Sequence, residues 1–80
     1  MMRIEIYIFN DDEQAMAVEF INFAKETMGI ISSYIAFSST WDGSIVVAIN
    51  ANVKEHAALT AECARLAHEK ELAEENGVCV

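Results

Sequence analysis

The chain reads as a small α+β domain, a two-layer sandwich with two helices on one face of a three- to four-stranded antiparallel sheet. Three observations predict it. Apolar residues make up 54% of 80 residues, enough for a core despite a net charge of −8. Two stretches alternate at period two around a hairpin turn, and two longer ones repeat at helical spacing behind capping pairs. Length and composition give one domain over residues 1–80, with no linker, repeat or proline.

Residues 3–9 form the first expected strand. Ile4, Ile6 and Ile8 share one face, and Arg3, Glu5, Tyr7 and Phe9 share the other. A helix is expected over 11–28. Asn10 and Glu13 resemble a capping box, Asp11 and Asp12 suit the positive helix end, and Gly29 suits a left-handed stop. Its apolar stripe is Ala17, Phe20, Ile21, Ala24 and Met28.

Residues 30–40 and 44–50 read as strands two and three, joined by a hairpin at Trp41-Asp42-Gly43. A two-residue Asp-Gly loop would set Phe37 beside Ala48. A three-residue loop pairs Phe37 with Val47 and Ile35 with Ile49, and gathers Ile31, Ile35, Phe37, Ile45, Val47 and Ile49 on one face. The three-residue loop is therefore expected, with Gly43 in the left-handed position. The second helix is expected over 53–75, with Asn52 and Glu55 as capping pair and Gly77 as stop; Val78-Cys79-Val80 offer a short last strand. This βαββα(β) order resembles the ferredoxin-like sandwich, a fold that hosts many functions and settles none.

Composition excludes several functions. Thirteen acidic against five basic residues disfavour direct nucleic-acid binding and anionic membranes. No apolar run approaches a membrane span, and the N-terminus lacks a signal-peptide core. Cys63 and Cys79 have no metal-type spacing. Free thiols and a cytoplasmic location are the expectation.

Catalytic motifs are missing. Gly29, Gly43 and Gly77 each have a structural place, so no glycine remains for a phosphate loop. His56 and Cys63 lie seven apart, two helical turns and beyond hydrogen-bond reach, so they read as a surface histidine and a core cysteine. His68 with Glu71, and the run Asp11-Asp12-Glu13, make incomplete metal sites. No catalytic residue, metal or cofactor is expected.

Two surfaces remain. The sheet face away from the helices is expected to carry Tyr7, Phe9, Tyr34, Ala36, Val46 and Ala48. Without basic surroundings it suits a homodimer or protein partner better than base stacking. On the helices, Asp12, Glu19 and Glu26 recur every seven residues, as do Glu55, Glu62 and Glu69. Each set forms a line on one helix face, and both should face water. The first line has no basic residue at helical spacing; in the second, Arg65 reaches Glu62 and Glu69. Ordered negative charge favours docking on a basic protein or nucleoprotein complex.

In size, single-domain build, charge and these rows of acid, the chain resembles the small acidic anti-CRISPR proteins of phages. The group has no common fold or motif. The resemblance implies a non-enzymatic inhibitor acting in a bacterial host's cytoplasm, with carboxylates in place of DNA phosphates. The alternative is a dimeric small-molecule-binding regulatory domain, by analogy with other ferredoxin-like domains.

Overall fold

The computed structural model describes residues 1–78. Strand β1 (Met2–Phe9) leads into helix α1 (Gln14–Asn22), which continues through a π-helical turn (Phe23–Thr27). A 3-10 turn (Ser32–Tyr34) precedes strand β2 (Ile35–Ser39). Strand β3 (Ile45–Asn52) passes directly into helix α2 (Val53–Val78). The sheet is antiparallel, in the order β1-β3-β2. The architecture is α+β, with both helices packed on the same face.

The hairpin register is the expected one. Phe37 lies opposite Val47 and Ile35 opposite Ile49. Thr40 N–H donates to Ser44 O at 2.8 Å, and Gly43 N–H donates to Thr40 O at 3.0 Å, closing a three-residue loop. The Asp42 carboxylate accepts from Ser44 N–H at 3.0 Å and from the Thr40 hydroxyl. Gly43 has φ +89°, where a side chain would strain the backbone.

The faces of β1 are the reverse of those expected. Tyr7 and Phe9 are buried with Val47 and Ile45, their partners across the sheet. Ile4, Ile6 and Ile8 are more than 60% exposed on the outer face. Volume explains the choice. The rings of Tyr7 and Phe9 lie 4.9 and 5.5 Å from the ring of Phe20, and wide aromatics bridge the space between sheet and helix. Ala17 on α1 and Ala24 in the π turn, both fully buried, let this helical segment approach closely enough for those contacts. Burying a ring such as Phe20 contributes roughly 2–3 kcal/mol.

Residues 30–34 do not join β2. Ile31 is extended, and Tyr34 N–H donates to Ile31 O at 3.0 Å, closing the 3-10 turn through Ser32 and Ser33. Serine favours such local turns, and Ile31 is exposed rather than on the inner face. Gly77 does not end α2, which runs to Val78; residues 79–80 of the expected last strand lie outside the described residues. At 1.5 Å per residue, α2 is ~39 Å long, while eight strand residues span ~27 Å. Its C-terminal end therefore overhangs the sheet, in keeping with a long axis of 47 Å.

Of the two expected capping pairs only the second forms: α1 begins at Gln14 with Glu13 at its N-cap, so Asn10, Asp11 and Asp12 make a turn ahead of the helix and not its first residues. Asn52 and Glu55 make a reciprocal box: Glu55 N–H donates to Asn52 Oδ1 at 2.8 Å, and Asn52 N–H to Glu55 Oε1 at 3.1 Å. Ahead of α1, Asn10 N–H donates to Glu13 Oε1 at 2.7 Å and Glu13 N–H to Asn10 O at 2.9 Å, which closes that turn. At the other end, Gly29 turns with φ +73°, and buried Ile30 N–H reaches back to Ala24 O at 3.0 Å.

Candidate functional site

The carboxylates of the two helices converge on one hollow. Asp12 and Glu13, just ahead of α1, and Glu19 within it face Glu69 and Lys70 of α2 across a depression of about 310 Å³. Ala15, Met16 and Leu66 complete its lining. Four carboxylates thus surround one ammonium. Lys70 Nζ lies 2.9 Å from Glu13 Oε2 and 3.5 Å from Asp12 Oδ1. Asn10 N–H, and then Lys70, hold the Glu13 carboxyl below the usual range.

The acidic rows are less open than their spacing suggests. Asp12, in the turn ahead of α1, gains Lys70 from α2. Glu62 is buried rather than solvated. Arg65 grips it with two bonds of 2.7 Å, Nε to Oε1 and Nη2 to Oε2, and this pairing lowers the Glu62 pKa. The same guanidinium bonds Glu69 through Nη1 at 2.5 Å. Glu55 is spent on its cap. Glu19 and Glu26 are exposed, with Glu19 at the hollow and Glu26 on the π turn. The six acids are therefore not one uniform face. Three of them meet at the hollow: Asp12, Glu19 and Glu69.

The second surface is the outer face of the sheet. Its outward positions are Met2, Ile4, Ile6 and Ile8 on β1, Val46, Ala48, Asn50 and Asn52 on β3, and Ala36 and Ser38 on β2. None is charged. Tyr34 borders it and is 44% exposed. Of the four residues expected there, Tyr34 and Val46 lie on this side, while Tyr7 and Phe9 belong to the core. A period of two separates the two faces of β1 without saying which is inside, so the alternation alone does not place the isoleucines.

His56 is also displaced from its expected place. It is buried, not on the helix surface. Tyr7 Oη–H donates to Nδ1 at 2.8 Å, and Nε2–H donates to the Arg3 carbonyl at 2.8 Å. The carbonyl can only accept, which assigns the ring proton to Nε2. Both nitrogens are thus engaged structurally. Cys63 is half-buried, and burial raises its thiol pKa, helped by Glu13 and Glu62. A thiol held protonated is a poor nucleophile.

One large exposed side chain belongs to neither surface. Trp41 stands at the hairpin tip, 98% exposed. Its position between turn residues was the available signal. Among the described residues, no group of three or more His, Cys, Asp or Glu side chains is arranged to hold a metal, and no helix is long and apolar enough to cross a membrane. Comparison with protein-family models, with curated proteins and with solved structures returned no match.

Proposed function

We propose that this chain is a non-enzymatic acidic binding protein that docks its helical side on a basic protein or nucleoprotein complex, in the manner of an inhibitor of nucleic-acid binding. The observation that carries the reading is the hollow between α1 and α2, where Asp12, Glu13, Glu19 and Glu69 outnumber the cations that reach them, Lys70 and Arg65. A lysine or arginine of a partner entering there gains several carboxylates at once. Ordered charge of this kind speeds association and selects cationic surfaces. The central position of β3 and the two helices on one face support a ferredoxin-like architecture beneath it. Inhibition of the anti-CRISPR kind is one form this function would take.

The test is capture of bacterial proteins on the immobilised chain at 50 and 500 mM salt, beside a Glu19→Lys/Glu69→Lys variant. The reading expects nucleic-acid-binding proteins to be held at low salt, and lost both at high salt and on the variant. Equal capture by the variant would remove the hollow from the function.

A further inference from the structure

The outer face of the sheet is apolar, uncharged and uncovered. We infer that a second copy of this chain covers it, the two sheets packing face to face about a two-fold axis parallel to the strands. The inference is independent of the acidic hollow, which lies on the opposite side of the sheet.

Relief on the face argues for a second copy. The large side chains, Ile4, Ile6 and Ile8, form a ridge on β1. Across the sheet, Ile6 stands beside Ala48 and then Ala36, and Ile8 beside Val46 and then Ser38. The surface therefore falls from a high edge to a low one. A two-fold axis along the central strand lays the ridge of each copy over the low edge of the other. Two-fold contacts are built from such self-complementary patches. A hollow of about 210 Å³, lined by Ile4, Ser33, Tyr34, Ala36, Ala48 and Asn50, receives Ile4 of the second copy. On the axis itself Ala48 meets Ala48, small enough for sheets at the usual ~10 Å spacing. Asn50 meets Asn50, where two amides exchange hydrogen bonds and mark the register.

Exposure and charge agree. The three isoleucines are each more than 60% exposed, with Met2 beside them and Tyr34 at the border nearly half exposed, an apolar patch of the kind that marks an interaction surface. A net charge of −8 would oppose self-association if it lay at the contact. It does not, because the helical layers end up ~30 Å apart, several Debye lengths at physiological salt. A chain of 80 residues, whose own core is small, gains most from such cover.

Sedimentation equilibrium of the full chain, from 1 to 100 μM, tests this. A dimer is expected at tens of micromolar, and Ile6→Asp should dissociate it at least 100-fold more readily while keeping its far-ultraviolet circular dichroism. Glu19→Lys/Glu69→Lys should leave it unchanged. For the axis, an Ile6→Cys chain is mixed with an Ala36→Cys chain, both carrying Cys63→Ser and Cys79→Ser, and treated with a short bifunctional maleimide. The mixture should cross-link several-fold more than either chain alone. A wild-type monomer at 100 μM overturns the inference, and so does a dimer indifferent to Ile6→Asp. Cross-linking no greater in the mixture overturns the axis. If Ile6→Asp fails to fold, the wild-type mass and the mixed cross-link decide.

Discussion

Tyr7 and His56 meet across 49 residues of chain, the phenol donating to Nδ1 at 2.8 Å inside the core. The rings also stack, with centroids 6.1 Å apart. Since Nε2–H is bound to Arg3 O, this one imidazole ties the start of β1 to the first turns of α2. His56→Ala leaves a buried hydroxyl and a carbonyl without their partner and opens a cavity, at a cost of about 2–4 kcal/mol. Tyr7→Phe removes one bond and should cost about 1 kcal/mol. Urea unfolding of the two variants checks both values, and a His56→Ala midpoint equal to wild type would show the network to be inert.

Glu13 makes stability depend on acid. Its carboxyl is depressed in the fold from an ordinary value near 4.5, so its contribution is complete above that value and disappears as pH falls through the lower folded one. Glu13→Ala removes the bond from Asn10 N–H and the Lys70 pair together. It should cost about 1 kcal/mol at pH 7, roughly 5 °C in Tm. Melting curves of both proteins from pH 7 to pH 3 should converge at the acid end; a constant gap would mean that the charge of Glu13 does not matter.

Two glycines should respond unequally to alanine. Both have positive φ, and an L-residue there costs about 1 kcal/mol. At Gly29 an added Cβ meets open space, whereas at Gly43 it comes 3.0 Å from Asp11 Cβ. Gly43→Ala should therefore destabilise more, by about 1–2 kcal/mol in total. Chemical denaturation gives the ranking, and the reverse order would contradict the hairpin geometry.

Cys63 should be slow to alkylate. In a Cys79→Ser background at pH 8, its reaction with a maleimide should run at least ten-fold below that of the urea-unfolded chain, because burial holds the thiol protonated. A native rate matching the unfolded one would mean that the thiol is free and open.

Arg65 and Glu62 give a ranking. Arg65→Ala strands a buried carboxylate, whereas Glu69→Ala frees an exposed arm of the same guanidinium. The first should lower Tm clearly and the second little. Equal effects would place Glu62 in solvent.

Local chemistry was legible in the sequence. The hairpin register followed from which pairing keeps Ile35, Phe37, Val47 and Ile49 on one side. The Asn52–Glu55 box follows from three-residue spacing, and Arg65 finds Glu62 and Glu69 because all three sit on adjacent turns of one helix. Contacts of this kind need only backbone periodicity. The ion pair from Lys70 to Asp12 and Glu13 was not legible, because it joins residues 57 apart, Lys70 and Glu13 among them. Nor was the burial of Glu62 or of His56, since helical spacing places a residue on a face without saying what packs against it.

By itself the sequence determined the order of strands and helices, the turn at Gly43, an acidic composition and two faces for every strand. Tertiary structure decided which face of β1 lies inside. Hydrophobicity favours the isoleucine row, because the other row also carries Arg3 and Glu5, yet it is the other row that lies inside. The rings of Tyr7 and Phe9 span the distance to Phe20, and Tyr7 alone offers a hydroxyl to His56. Shape and one buried hydrogen bond turned the isoleucines outward, and that choice created the face on which a second copy can sit.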